Sequence, residues 1–401
     1  MHNNAWGALP TELVLLSDLE LLSLQQTDFG GTIPSFLGGF TKLTELDLMN
    51  SNVTSSFPSF LPAQLQQLRE LVLTNNFITG PIPPNLAQLS DSLENLALDD
   101  NLLIGDIQVL RQLTMLKTVY LEQNMLQDSL TGDLFENHPF LKQIDLSNNR
   151  LNGTLPVEWF NQSYLPALQI LDLHENNIAG VLPMNFPAND QLHDLALHRN
   201  SLSGSIPASL SNLGGLNHLD LTGNQLTGPI TDTAFASLTV LRYLFLAANS
   251  FDVGPIPTSL RHLTWLKDLS LKDTQRTGTI PTWIGELSNL VLLDLDSNDL
   301  SGTVPTELGN IGPLGYLQLN RNEKLSGTMP KELRNLQWGL SEYSEEGSYF
   351  GIAQTNRIES NAIEQRVLLP ANYCTPSPHS YSLTHYHTNN TRFDSLSSQL
   401  L

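Results

Sequence analysis

Cysteine is nearly missing from this chain: Cys374 is the only one in 401 residues. No intrachain disulfide and no cysteine-rich metal site can form, so the fold must hold by packing and hydrogen bonding. Basic residues are scarce too, with 19 Lys plus Arg against 40 Asp plus Glu and a net charge of −21. Such a surface repels phosphate backbones and anionic lipid heads, so nucleic acid is not an expected partner. No apolar run reaches the length of a membrane span. The N-terminal stretch MHNNAWGALPTELVLLSDLE has no basic opening, and Glu12, Asp18 and Glu20 interrupt its apolar part, so it does not read as a signal peptide. Phosphate loops, G-x-S-x-G, H-E-x-x-H and kinase motifs are all missing. Neither an enzyme nor a cofactor is expected.

What is present is a repeat. Thirteen copies of L-x-x-L-x-L-x-x-N place their second Leu position at 22, 46, 71, 96, 119, 144, 171, 195, 219, 244, 269, 293 and 317, at intervals of 23 to 27 residues. That period and consensus predict one short strand and a return path per copy. In Leu195-Ala196-Leu197 and Leu219-Asp220-Leu221 the Leu residues face inward and the intervening side chain outward. The fold class follows: an α/β right-handed solenoid, its strands stacked in one parallel sheet on the concave side, its convex side irregular or in short helical turns.

The Asn closing most copies, from Asn76 and Asn101 to Asn298 and Asn322, predicts a buried ladder bonded to turn backbone. Thr27, Ser51 and Thr274 take that place in three copies, and a single hydroxyl predicts looser turns there. After the Asn comes L-x-G-x-I/L/V/M-P, as in Leu202–Pro207, Leu300–Pro305 and Leu325–Pro330. Gly permits positive φ at a bend, and Pro removes a donor. Over residues 7 to 338 this pattern resembles the plant-specific class of leucine-rich-repeat proteins. That class includes receptor-like kinase ectodomains, receptor-like proteins and, more distantly, polygalacturonase-inhibiting proteins. The resemblance implies a recognition scaffold.

Three segments predict organisation. Residues 1–15 read as a truncated half-repeat, since Gly7–Leu16 matches only the second half of a copy. Residues 16–338 form the array, and 339–401 a partial cap with a disordered tail. Arrays of the resembled class start with a capping cysteine pair, which is missing, so a fragment of a longer protein is expected. The compartment is accordingly extracellular or membrane-associated if a leader or anchor lies upstream, and otherwise cytoplasmic. Gln127–Phe135 and Pro229–Phe235 depart from the Gly-x-Ile-Pro form and predict a helical turn with a Phe anchor instead. The longest interval, around Glu158 to Pro166, predicts a bulge in the outer surface.

Function is expected on the strand face. The third, fifth, seventh and eighth positions of the copies hold fifteen acids and only three bases, Arg199, Lys272 and Arg321. This acidity either solubilises a wide sheet or steers a basic peptide or protein to it. The richest stretch, copies five to ten, supplies the candidate binding residues Tyr120, Asp145, Asp172, His174, Glu175, Asp194, His198, Arg199, His218, Asp220, Tyr243 and Phe245. Aromatic anchors beside polar groups suit a binding hot spot. His174, His198, Asp194 and His218 offer a transition-metal alternative, but no orienting partner is identifiable. His379, His385 and His387 are read as ordinary polar residues rather than ligands. Sequons at Asn52, Asn152, Asn161 and Asn389 number fewer than the roughly six that composition alone supplies. The expected function is non-catalytic binding of a peptide or protein with a basic surface. The alternatives are a secreted inhibitor of a cell-wall-degrading enzyme and an intracellular scaffold.

Overall fold

A computed structural model describes residues 9–27 and 30–335. Residues 339–401, with Cys374, Asn389 and the three tail histidines, lie outside that range, as do residues 1–8 of the half-repeat.

Thirteen three-residue strands, from Leu21–Ser23 to Tyr316–Gln318, make one parallel sheet in which every copy pairs with the next. The register is constant: Leu171 sits opposite Leu195, Leu195 opposite Leu219 and Leu219 opposite Leu244. Constant register puts each central Leu into the core and its two neighbours on the outer face of the sheet. All thirteen strands accordingly have a buried centre, and eleven of them have at least one half-buried flank. One continuous apolar cluster runs through the described array, from Leu22 to Leu333.

The return paths carry twelve 3-10 turns and one α-helical turn, Phe60–Gln64, among the described residues. A single turn per copy is what 24 or so residues allow once a strand, a bend and a Pro are placed. Gln127–Phe135 and Pro229–Phe235 do hold helical turns, Gly132–Phe135 and Asp232–Ala234, and Phe135 and Phe235 are fully buried. The expectation that the turn sets these copies apart is corrected, since the regular copies have one as well, except the copy running from Ala179–Val181 to Asp194–Ala196. Their real difference lies in a second set of short parallel sheets. These run through Thr79–Pro81, Leu102–Gly105 and Met125–Leu126 and again through Ala179–Val181, Ser201–Gly204 and Gln225–Leu226, break off in the two irregular copies, and resume as Ser129–Leu130 with Asn152–Gly153 and as Thr277–Thr279, Asp299–Thr303 and Lys324–Ser326. Between Glu158 and Pro166 the longer copy fills its extra length with two buried aromatics, Trp159 and Phe160, and bonds the Tyr164 hydroxyl to the Gly132 carbonyl at 2.5 Å.

The Asn ladder is present and saturated. Asn76 Nδ2 donates to the carbonyls of Leu48, Leu73 and Thr74, and its Oδ1 accepts from the amides of Ser51 and Val53. Thr27, Ser51 and Thr274 are buried, and their hydroxyls donate to Leu24 or Leu271 carbonyls at 2.6 to 2.8 Å. One donation thus survives where the carboxamide makes three.

The residue just before the ladder position has positive φ in every copy, from Gln26 at 57° to Arg321 at 49°. Only Gly223 is a glycine at this place. An L-residue with a Cβ is strained in that region, so Ala248, exposed at φ 52°, is a site for improvement. Ala248→Gly is expected to raise stability by about 0.5–1 kcal/mol, read from the midpoint of urea unfolding. Ala247→Gly, at its buried neighbour outside the positive-φ region, should lower it. A fall in both variants would show that backbone strain at this position is not relieved by glycine.

Candidate ligand-binding face

The outer face of the long sheet brings the twelve sequence-derived residues onto adjacent copies, but it divides them into three groups. The first is a buried polar network. Asp145 is 3% exposed, and its Oδ1 accepts from the Ser147 amide at 3.0 Å and hydroxyl at 2.7 Å. Asp172 Oδ1 accepts from the His174 amide at 3.1 Å and meets His174 Nδ1 at 2.6 Å. The other His174 ring nitrogen lies 2.8 Å from Asn148 Nδ2, so both ring nitrogens are engaged. His198 stacks on His174 with ring centroids 4.2 Å apart and planes 10° from parallel. Its Nδ1 stands 3.3 Å from Asp220 Oδ2 without the alignment of a hydrogen bond. Tyr120 is buried too, its hydroxyl bonded to Gln143 Oε1.

The electrostatics follow from burial and these pairings. Burial and then Asp172 push the Asp145 carboxyl up to about 8. Burial would raise Asp172 as well, but His174, through charge and hydrogen bond, holds it below the usual range. Burial works against the His174 imidazolium, and Asp172 more than offsets this, leaving its pKa raised. His198 stays lowered, by burial first, with Asp220 only partly compensating. Two stacked imidazoles thus titrate in opposite directions.

The second group is half-open. Asp194, His218, Tyr243 and Asp268 stand side by side at the first position of four consecutive strands, with Asp220 and Phe245 two residues further along. His218 Nδ1 lies 2.7 Å from Asp194 Oδ1, and the Tyr243 and Phe245 rings meet the imidazole edge to face at 6.0 and 5.9 Å. Burial disfavours charge on His218, but Asp194 and its hydrogen bond lift the imidazole to about 9. Burial pushes Asp268 up to about 6. A third, outer pair, Arg199 and Glu175, forms an ion pair at the edge.

Sequence reasoning missed Asp268, which belongs to the half-open row, and it missed Asp99, buried on the copy before Tyr120, and Glu122, half-buried two residues beyond it. All three stand in the alignment columns that define the face. Weighting by nearby histidines and aromatics drew the boundary too narrowly. The metal alternative has little geometry behind it, because Asp194 and Asp172 already engage the imidazoles they would share with a cation. Among the described residues no group of three or more His, Cys, Asp or Glu is arranged to hold a metal ion. No helix of the described residues is long and apolar enough to cross a membrane. Asn52 and Asn161 are exposed and Asn152 is half-buried.

A regular stack of short strands with a polar, partly open outer face defines a ligand-binding scaffold. A family model described as "Leucine-rich repeat region" matches residues 191–338, and one described as "Leucine Rich Repeat" matches 67–89, 140–162 and 167–189. The chain belongs to the leucine-rich-repeat proteins and is of the plant type. It is similar to a TDR receptor, at 29% identity and TM-score 0.73 over 82% of this chain and 56% of the other. It is also similar to the plant peptide hormone receptor RGFR1 in complex with RGF2, at 28% identity and TM-score 0.62 over 82% and 60%. A leucine-rich-repeat protein of Leptospira interrogans is 29% identical, with TM-score 0.68, over 84% of this chain and 82% of that one. The chain spans little more than half the length of the two plant structures. No curated protein matches it.

Proposed function

We propose that the outer face of the long sheet binds an extended peptide or protein segment with basic side chains, without catalysis, and that the half-open patch on copies eight to eleven is its centre. The observation that carries this reading is the one-sided charge of the face, fifteen acids against three bases, around two half-buried aromatics. Tyr243 and Phe245 supply contact area at small entropic cost, and Asp194, Asp220 and Asp268 supply acceptors for charge-assisted bonds. Similarity to a peptide hormone receptor solved in complex with RGF2 supports the same reading. An open sheet excludes little water, which suits recognition better than chemistry.

Charge reversal tests it. Asp194 and Asp268 are the right pair because both are half-open, whereas Asp172 anchors the buried network. On an array of basic peptides at low salt, Asp194→Lys with Asp268→Lys should weaken the captured peptides at least about tenfold. Wild-type binding should fall steeply with added salt. Unchanged capture by the double variant would place recognition elsewhere.

A further inference from the structure

The sheet face holds a recess of about 40 Å³, lined by Glu70, Thr74, Asn95, Asp99, Tyr120 and Glu122 among others and by no Lys or Arg. That space is roughly three times the 10–15 Å³ that one water needs, enough for a flat polar head and too little for a large ring.

Its walls are largely apolar, from Met49, Val72 and Ala97, and the charged groups set into them are all carboxyls, Glu70, Asp99 and Glu122. Asp99 is 5% exposed, and its only side-chain donor here is the Thr74 hydroxyl at 2.7 Å. Glu122 Oε2 is shut off from solvent and has no hydrogen-bond partner at all. Asp99 and Glu122 hold the same repeat position on consecutive copies, so their backbones stand about 4.8 Å apart. Two like charges at that spacing repel, and a buried carboxylate oxygen without a donor costs free energy. Burial raises both carboxyls: Glu122 goes well above its usual range, with repulsion from Asp145 and Asp99 added, and Asp99 to about 6, with repulsion from Asp100 added.

We infer that this recess seats the guanidinium of an arginine side chain of the bound ligand, with Glu122 Oε2 and Asp99 as its acceptors. The inference rests on the proposal that the sheet face binds a basic segment, and it fixes one contact of that segment. A guanidinium fits better than an ammonium because it offers five N–H groups in a plane, matched to acceptors spread over three copies. The recess centres on copy four and the half-open patch on copy nine. Five strand spacings separate them, roughly 24 Å, which an extended chain covers in about seven residues. The arginine therefore lies about seven residues from the segment that meets Asp220 on copy nine, and about eight to nine from the one that meets Tyr243 and Phe245 on copy ten.

The test titrates the protein at low salt with N-acetyl-arginine amide, N-acetyl-lysine amide and N-acetyl-citrulline amide, followed by NMR of the protein amides. Saturable binding of the arginine probe is expected, at least about tenfold weaker for citrulline and for lysine. Glu122→Gln should weaken the arginine probe about tenfold while its thermal unfolding is unchanged or shifted upward, since it keeps shape and removes a repelling charge. Glu286→Gln, exposed on the return-path turn Thr282–Glu286, should leave probe binding as it is. No saturable binding, equal binding of lysine, or wild-type binding by folded Glu122→Gln would overturn the inference. If the probe fails while Asp194→Lys with Asp268→Lys still abolishes peptide capture, only the recess is wrong. If the probe binds and capture is indifferent to that pair, the central patch is wrong and the recess stands.

Discussion

Asn176→Ala is expected to destabilise the array by about 3 kcal/mol, whereas Asn177→Ala one residue on should change it by less than about 0.5 kcal/mol. Asn176 is buried, and its Nδ2 donates to the carbonyls of Leu146, Leu173 and His174 at 2.9 to 3.2 Å. Its Oδ1 accepts the Leu151 amide at 2.9 Å, a group with no other acceptor nearby in the turn. Truncation removes four hydrogen bonds and orphans a buried N–H, which costs more than the bonds themselves contribute. The Leu173 carbonyl also receives Asn200, so the loss passes to the next rung. In a solenoid each copy is held only by its neighbours, and a broken rung between copies six and seven should divide the unfolding transition. Urea titration with hydrogen exchange of the Leu151 amide checks this. A single unshifted transition with protected Leu151 would mean that the ladder is not what joins the copies.

How far the sequence predicted this structure depends on whether a residue follows the repeat. Leu and Asn columns are legible because their physical demands recur in each copy: the constant register of thirteen strands is the alignment itself. Arg276 shows where that legibility ends. It occupies the column of Leu202 and Leu300, yet it is 1% exposed, and its guanidinium donates to the carbonyls of Thr274, Pro255 and Asp252. The same copy has Thr274 in place of the ladder Asn, but Arg276 reaches other carbonyls than those a ladder Asn serves, so it satisfies its own buried guanidinium and does not replace the carboxamide. A pairing of two exceptions in one copy cannot be read from a consensus.

The candidate face was legible in place and only partly in use. Column membership located the acids and aromatics, but it could not say that Tyr120, Asp145 and His174 turn into a buried network while His218 and Tyr243 stay half-open. Burial at those positions is decided by the neighbours above and below. His174 has His198 stacked on it, and His218 has two rings at its edge and a carboxylate at its Nδ1. Imidazoles in two columns of one face therefore yield a structural pair, His174 and His198, and a contact residue, His218.

Those environments make the fold more stable at pH 5 than at pH 8, by at least about 3 kcal/mol. The Asp145 carboxyl moves from 3.8 to about 8, and Asp99 and Asp294 to about 6, burial being the main cause in each. His218 moves from 6.5 to about 9. In all four the folded state holds protons that the unfolded chain has released, so stability falls as pH rises through the folded values. The His218 contribution is complete below pH 6.5 and lost on approaching pH 9, and that of Asp145 is lost between pH 4 and 8. His198, lowered by burial, acts in the opposite sense below 6.5, and Asp172 does so below 3.8; neither outweighs the group above. Urea midpoints should therefore drop from pH 5 to pH 8, and Asp145→Asn should flatten the drop, because the amide keeps the acceptor for Ser147 and cannot ionise. A flat or rising profile in the wild type would sink this account. A cationic ligand reverses the balance, since it favours the ionised carboxylates that the free protein resists, so affinity for basic peptides should rise over the interval in which the unliganded fold weakens.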